Sequence, residues 1–329
     1  MDSLLKFVKA YVKSMRLYYA FITGIAGWVG VSFYEYVTPL HYSDVQVLPS
    51  TEKKMVILMF LFLSWGINQI FNDYMGLAED RINAPHRPMV TGELNATAAL
   101  LLSTVLLVVI SFVAYYYLEP LALLPLLAGL GLNFIYEHAK GHGIWGNVVY
   151  GLTISTCTVF GFLACGPAAL PLFTKERISI LGMVWLLNAL MTYFTYFKDY
   201  EGDKAAGKKT IVVKYGIEKS KMFGVVSSFL PSVAFIAIYI SGCITVPLSS
   251  TFWVLGVLTA FLQLWTAYLY YKNLTDEKTS YSLATNARAC ACGQATFIAI
   301  YAPQLATLLF LVTYIFVGFL FDLHKDSKE

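Results

Sequence analysis

The chain has 329 residues, of which 58% are hydrophobic and 13% are charged, and its formal net charge is +3. Soluble domains carry about a quarter charged residues, so this composition excludes an ordinary soluble protein and indicates an integral membrane protein. The basic residues lie beside apolar segments, which predicts contact with membrane lipid and gives no support for nucleic-acid binding.

Residues 1–16 precede the first long apolar segment and read "MDSLLKFVKAYVKSMR". Lysines are interspersed with Leu and Val at helical spacing, a pattern that a cleavable signal peptide does not have. The stretch predicts an amphipathic helix that lies in the plane of the membrane.

Nine segments are apolar over about 20 residues, the length that crosses a hydrocarbon core about 30 Å thick. None alternates polar and apolar residues as strands of a membrane barrel do. We therefore predict an all-α polytopic protein, with residues 1–329 forming a single transmembrane domain. The predicted spans are about 17–36, 55–71, 95–118, 119–136, 144–165, 178–198, 222–244, 251–271 and 295–320.

The charges in the connecting loops predict an orientation. Most Lys and Arg residues fall on the side of the N-terminus, and cytoplasmic loops are enriched in these residues. The N-terminus and two long polar connections, residues 72–94 and 199–221, are therefore predicted on the cytoplasmic face.

The two polar connections each contain acidic or amide residues spaced by four, which share one face of a helix. This resembles a weak internal repeat in which each half brings one cluster to the same face. The residues are Asn68, Asn72, Gly76 and Asp80 in the first connection and Asp199 and Asp203 in the second.

Carboxylate and amide oxygens suit hard cations, and Mg²⁺ keeps coordination positions for water and substrate phosphate. Nearby basic residues are suited to grip a diphosphate: Arg87, Lys140, and Lys208 or Lys209. With apolar spans behind this mouth, the substrate is predicted to be a prenyl diphosphate. A transporter is the alternative of another class, but its site is expected near the membrane midplane.

The same residues resemble the signatures of the UbiA superfamily of intramembrane prenyltransferases. The first signature is an Asn followed at four and eight residues by Asp, and then Arg-Pro and a small pair. Asn72, Asp80, Arg87-Pro88 and Thr91-Gly92 match it, and the "KDYEGDKAAG" of residues 198–207 matches the second signature. "GIWGNVV" from Gly143 resembles the segment that opens the family's fifth helix.

This resemblance covers nearly the whole chain and implies a helical bundle around a central cavity, where two Mg²⁺ ions bridge the protein to a prenyl diphosphate. Carried over residue by residue, it implies metal ligands, diphosphate contacts and supporting residues behind them. The implied metal ligands are Asn72, Asp80, Asp199 and Asp203. The implied diphosphate contacts are Arg87, Lys140 and Lys209, and the implied supporting residues are Asn68 and Asp73.

Position 76 departs from the family pattern, because Gly replaces the middle Asp. Asp73 and Glu79 are expected to lie off the helix face, so only a local distortion would bring either into the site. A Gly here resembles the terpene cyclases of the superfamily. We therefore expect cyclisation of farnesyl or geranylgeranyl diphosphate by a class I lyase, with prenyl transfer to an aromatic or lipid acceptor as the alternative.

Aromatic side chains near the motifs favour the same expectation, since aromatic faces stabilise a migrating positive charge. Trp65, Tyr193, Phe194 and Tyr196 are the candidates for lining such a cavity. Aromatic residues are also common in membrane-interface belts, so their presence alone does not separate a cyclase from a transferase.

Overall fold

The computed structural model describes residues 2–41, 48–167, 173–272 and 276–326. This part of the chain is almost entirely helical, and two short parallel strands, β1 (His142–Gly143) and β2 (Lys209–Thr210), complete it. The helices are α1 Asp2–Met15, α2 Ala20–His41, α3 Thr51–Met75, α4 Leu77–Asn83, α5 Pro88–Thr91, α6 Ala96–Val113, α7 Leu123–Lys140, α8 Trp145–Leu163, α9 Lys175–Lys198, α10 Tyr200–Ala205, α11 Ile211–Tyr215, α12 Ile217–Ser227, α13 Leu230–Ile240, α14 Ser250–Lys272, α15 Asp276–Ile298 and α16 Pro303–Asp326.

Nine helical segments within the described residues are long and apolar enough to cross a membrane. The prediction of an all-α protein with nine apolar spans is confirmed. The seventh segment is made of two helices, α12 and α13, which join just before Pro231.

The C-terminal part differs from the prediction. The span predicted at about 295–320 begins inside α15 and crosses a turn, after which Pro303 starts α16. Pro suits the first position of a helix because the N–H that it lacks has no partner there. α15 is too polar to count among the nine apolar segments, although most of its residues from Ser282 onward are buried.

Polar residues of α15 are satisfied by neighbouring helices. Asn286 Nδ2 donates to Met191 O at 2.8 Å, Gln263 Nε2 donates to Ala289 O at 3.3 Å, and the hydroxyls of Thr259 and Thr296 lie 2.9 Å apart. Hydropathy misses α15 because the helix carries many polar side chains, which find partners on neighbouring helices.

The N-terminal helix α1 has two different sides. Leu4, Leu5, Val8 and Val12 are exposed, while Tyr11 is buried with its hydroxyl 2.7 Å from that of Ser103. This is the amphipathic helix predicted for residues 1–16, and its placement in the membrane plane stays a prediction.

Both motif segments lie at one end of the bundle. α3 leads into the first and α9 into the second, and the short helices α4 and α10 pack against each other. β1 follows α7 and pairs with β2 of the second segment, with His142 opposite Lys209. This pairing fixes the end of α7, which carries Lys140, beside the second segment.

Candidate active site

The first motif segment contains a bend at Gly76. This residue has φ −94° and ψ 16° and separates α3 from α4. Gly is a poor helix former, and the bend is local, because Gly76 N still donates to Asn72 O (2.8 Å) and Asp80 N to Gly76 O (3.0 Å). The predicted single helix face through residues 68–80 is therefore interrupted at its centre.

Two arginines neutralise the carboxylates of this segment. Arg16, at the end of α1, forms an ion pair with Asp73, and Arg87, just before α5, forms ion pairs with both Asp73 and Asp80. Burial raises the pKa of the Asp80 carboxyl, and the neighbouring Arg87 partly opposes that rise. The two carboxylates thus share one guanidinium.

In the second segment, Lys140 is the basic residue that pairs with the carboxylates. Its Nζ lies 2.9 Å from Asp203 Oδ1 and 4.0 Å from Asp199 Oδ2. Asp203 has no exposed surface, and its Oδ2 makes no hydrogen bond within the described structure. Burial raises the pKa of Asp203 to about 6; the charge of Asp199 adds to the rise, and Lys140 opposes it.

Asn83 joins the two segments directly. Its Nδ2 donates to the backbone oxygen of Asp199 at 3.2 Å, and its Oδ1 accepts from the backbone N–H of Gly202 at 2.8 Å. A Cβ at position 202 would overlap the Asn83 amide. Glycine at 202 therefore lets α4 and α10 approach closely.

Lys208 makes a second connection across the site. It forms ion pairs with Glu79 of the first segment and with Glu137 of α7, the latter at 3.0 Å. Groups from α3, α4, α7 and the second segment consequently surround one cleft.

The cleft adjoins a more apolar chamber. Trp65, Gln69, Asn72 and Tyr150 line both spaces. The chamber is lined mainly by apolar residues of α3, α6, α7 and α8, including Phe60, Ile110 and Phe160. A charged head group and an apolar chain of one ligand can thus be accommodated together.

Most of the predicted site residues meet here. Asn72, Asp73, Asp80, Arg87, Lys140, Asp199 and Trp65 line the cleft, and Asp203 lies behind Lys140. Asn68 lines the apolar chamber, and Asn72 Oδ1 accepts a hydrogen bond from Asn133 at 2.9 Å.

Asp73 faces the cleft, contrary to the expectation from the sequence. A helix with 3.6 residues per turn places residues seven apart only about 20° from each other around its axis. Asp73 and Asp80 therefore belong to one face even before the bend, and the angular assignment made from the sequence was wrong.

Other predicted residues lie elsewhere. Lys209 is exposed on β2 and does not line the cleft, whereas Lys208 does. Tyr193 and Phe194 pack with Phe197 and Tyr270 in a separate apolar cluster and line neither space. The Tyr196 ring is buried with its centroid 5.9 Å from Lys140 Nζ.

No sequence pattern selects Arg16 or Asn83 as site residues. Arg16 belongs to a run of basic residues that also suits membrane attachment. It reaches the site because the chain turns there with a left-handed backbone, at φ 48°. Asn83 hydrogen-bonds to backbone atoms of Asp199 and Gly202. Any residue type offers such atoms, so the sequence carries no motif for these contacts.

The donor set fits a divalent metal ion, since Mg²⁺ prefers oxygen ligands. No group of three or more His, Cys, Asp or Glu side chains in the described part of the chain lies close enough together to hold an ion. The carboxylates instead form two pairs, each around a basic side chain. An ion bound to either pair needs substrate oxygens and water to complete its coordination, as Mg²⁺ commonly does.

Comparison with known proteins identifies the family. The model of the UbiA prenyltransferase family matches residues 45–286, well over half of the chain. The chain belongs to the UbiA prenyltransferase family. It is an integral membrane protein with the all-helical architecture of UbiA homologues.

Curated relatives are prenyltransferases. The digeranylgeranylglyceryl phosphate synthases of Thermococcus sibiricus and Pyrococcus abyssi are each 28% identical to this chain, over 233 and 236 residues. These alignments cover 69% and 68% of this chain and 76% and 78% of the relatives.

Solved structures show the same fold. A UbiA homologue from Archaeoglobus fulgidus bound to GPP and Mg²⁺ superposes with a TM-score of 0.58 at 18% identity, covering 88% of this chain and 99% of that one. The apo UbiA homologue from Aeropyrum pernix K1 gives a TM-score of 0.60 at 17% identity, covering 90% and 98%. The ligands of the first structure are consistent with a divalent metal at this site.

The expectation of a terpene cyclase, and with it of a lyase, is wrong. The relatives are named digeranylgeranylglyceryl phosphate synthase, and the family is one of prenyltransferases, which supports the alternative. Both reasons for the cyclase also weaken in the structure: Gly76 forms a bend beside two retained carboxylates, and Tyr193 and Phe194 do not face the cavity.

Proposed function

We propose that this protein is a Mg²⁺-dependent prenyltransferase that moves a prenyl group from a prenyl diphosphate to a lipid acceptor. The observation that carries the proposal is the meeting of the two acidic segments around one cleft that adjoins an apolar chamber. Relatives named digeranylgeranylglyceryl phosphate synthase support a geranylgeranyl donor and a glyceryl phosphate lipid as acceptor.

Asn72 and Asp80 on one side and Asp199 and Asp203 on the other are the proposed metal ligands. Two bound Mg²⁺ ions would stabilise the negative charge that develops on the leaving diphosphate. Asn133 donates a hydrogen bond to Asn72 Oδ1 and so fixes the orientation of that amide.

Arg87, Lys140 and Lys208 are the proposed diphosphate contacts, together with Arg16. Each is now paired with a carboxylate inside the cleft. When metal ions take over the carboxylates, the basic side chains become free to bind phosphate oxygens. Arginine suits this role especially, since its planar fork binds two oxygens at once.

The apolar chamber is the proposed site of the prenyl chain. Trp65 stands where cleft and chamber adjoin, and its Nε1 donates to Arg16 O at 3.2 Å. Burying the chain beyond this point brings the reacting carbon to the metal end of the site and keeps water from the allylic cation. We further propose that this end of the bundle faces the cytoplasm, as the distribution of basic residues predicts.

The test is prenyl transfer by the purified full-length protein in lipid nanodiscs, with Mg²⁺ and labelled geranylgeranyl diphosphate. We expect a prenylated lipid only when geranylgeranylglyceryl phosphate is added as acceptor. A cyclic hydrocarbon or alcohol formed without acceptor would contradict the proposal. Asp80→Ala and Asp199→Ala should each abolish transfer, while Lys209→Ala, on the exposed strand, should retain it.

A further inference from the structure

The N-terminal helix α1 has three different sides. One side packs against the bundle, a second is apolar and exposed, and a third carries exposed lysines. At 3.6 residues per turn, the lysines fall within about 60° of one another and the exposed apolar residues within about 100°. The lysines are Lys6, Lys9 and Lys13, and the exposed apolar residues are Leu4, Leu5, Val8 and Val12.

The packed side places α1 at the end of the bundle that contains the cleft. The Tyr11 hydroxyl lies 2.7 Å from that of Ser103 on α6, and Met15 lies against Gly66 of α3, where an added Cβ would overlap it. α1 also contacts α5, which belongs to the first motif segment. α1 therefore lies beside the motif segments, with its apolar and basic sides turned outward.

The basic side of α1 is only partly neutralised by the protein. Lys13 Nζ lies 3.7 Å from Glu93 Oε2, whereas Lys6 and Lys9 form no ion pair within the described part of the chain. A helix that combines exposed Leu and Val with lysines binds a bilayer through its apolar side and through attraction to anionic lipids. Each lysine near an anionic membrane surface strengthens such binding by about fivefold.

The end of α1 leads directly into the cleft. Arg16 follows Met15, and its left-handed backbone, with φ 48°, turns the chain there. The backbone oxygen of Arg16 accepts a hydrogen bond from Trp65 Nε1 at 3.2 Å, and its side chain forms the ion pair with Asp73. No residue separates α1 from this arginine, so the position of the helix determines where the guanidinium lies.

We propose that α1 is a docking surface for anionic lipid headgroups, and that this docking holds Arg16 in the cleft. The headgroups neutralise Lys6 and Lys9 and fix α1 at the membrane surface. Arg16 then stays beside Asp73, where it is available to a diphosphate. The effect on the cleft rests on the proposed function, because Arg16 is a diphosphate contact only there; the docking of α1 does not.

The rival explanation is that α1 is an anchor that uses its apolar side alone. Both explanations place Leu4, Leu5, Val8 and Val12 in contact with lipid. They differ in the part given to Lys6 and Lys9. An apolar anchor predicts the same behaviour of α1 in neutral and in anionic membranes, whereas docking to headgroups predicts a difference that depends on these two lysines.

The experiment uses the full-length protein in nanodiscs of phosphatidylcholine alone and of an equimolar mixture with phosphatidylglycerol. Hydrogen exchange of residues 2–15 reports docking, and calorimetric titration with inorganic pyrophosphate in excess Mg²⁺ reports the state of the cleft. The test variant combines Lys6→Gln with Lys9→Gln. The control combines Lys219→Gln with Lys272→Gln, which removes the same charge from two exposed lysines on α12 and α14.

In the anionic nanodiscs, we expect the test variant to bind pyrophosphate about tenfold more weakly than the starting protein, within the roughly 25-fold that two lysines contribute to docking. Its residues 2–15 should also exchange faster. In phosphatidylcholine alone the two proteins should match, because neither has anionic headgroups to bind. The control should behave as the starting protein in both lipids, which excludes a general effect of membrane charge on free pyrophosphate.

Equal exchange of residues 2–15 of the starting protein in the two lipids would overturn the docking. Equal pyrophosphate affinity of the test variant and the starting protein in anionic nanodiscs would overturn the link to Arg16, and so would an equal loss of affinity in the control. Absent prenyl transfer combined with the expected pattern of pyrophosphate binding would refute the proposed function alone.

Discussion

The carboxylates of both acidic segments are neutralised by basic side chains, but the two segments use different basic groups. In the first, two arginines from distant elements, Arg16 and Arg87, neutralise Asp73 and Asp80. In the second, a single amine, Lys140, serves Asp199 and Asp203. A guanidinium presents several donors in a plane, while an ammonium is a compact point charge.

The segments also differ in what holds them. The first depends on a helix bend and on the end of α1, far away in the chain, whereas the second is fixed by the β1–β2 pairing and by Asn83. The second segment is therefore tied to the end of α7 by strand pairing, while ion pairs of Arg16 and Arg87 hold the carboxylates of the first.

The largest effect is expected from Asp203→Asn, which changes the second segment. The amide leaves Lys140 with a single carboxylate partner 4.0 Å away and removes a proposed metal ligand. We expect kcat/KM for prenyl transfer to fall by about 1,000-fold or more, since metal stabilisation of the leaving group is worth several kcal/mol. A fall of less than tenfold, in a variant that melts like the starting protein, would show that Asp203 is not a ligand.

Gly202→Ala should come next, because a Cβ at this position would overlap Asn83. Overpacking costs about 1–3 kcal/mol, and it separates the two halves of the site. We expect about a 30-fold fall in kcat with a lower melting temperature. Gly182→Ala is the matched control on α9, since no atom lies within 4 Å of that position; it should leave both quantities unchanged.

Asn83→Ala tests the same connection with less disturbance. Two hydrogen bonds are lost, each worth about 0.5–1.5 kcal/mol, and no steric overlap is introduced. We expect about a tenfold rise in the Mg²⁺ concentration needed for half-maximal activity, because the ligands of the two segments are no longer held together. An unchanged Mg²⁺ dependence would mean that the segments are positioned independently.

The smallest effect is expected when the variants of two neighbouring lysines are compared. Lys208 bridges Glu79 and Glu137 in the cleft, while Lys209 is exposed. We expect Lys208→Ala to raise KM for the prenyl diphosphate about five- to tenfold, the scale of one charge-assisted hydrogen bond. Lys209→Ala should leave KM unchanged; equal effects from the two variants would contradict the placement of these side chains.

The membrane spans could be predicted because hydropathy responds to lipid contact, and α3, α6 and α9 were found near their true limits. The proposed metal ligands could also be selected from the sequence, since acidic and amide residues repeat at helical spacing. α15 escaped detection for the converse reason, because its polar groups are satisfied inside the bundle by partners such as Met191 O.

Finer placement needed the structure. A short strand decides that Lys208 rather than Lys209 faces the cleft, and a shift of one residue in a strand reverses the side that a residue faces. Tyr193 and Phe194 lie on the last turns of α9 and face away from the cavity, where Phe194 packs against Tyr270 and the Tyr193 hydroxyl donates to Ser220 O. Neither fact is contained in local composition.

The polarity of α15 has a consequence for how the protein reaches the bilayer. Arg288 lies near the middle of this helix, with its Nε donating to Tyr314 O at 2.8 Å and its guanidinium over the Tyr314 ring. An arginine at the centre of an isolated inserting helix costs about 2.5–3.5 kcal/mol. α15 is therefore expected to integrate together with α16, because Tyr314 of α16 supplies the carbonyl oxygen and the ring that Arg288 contacts.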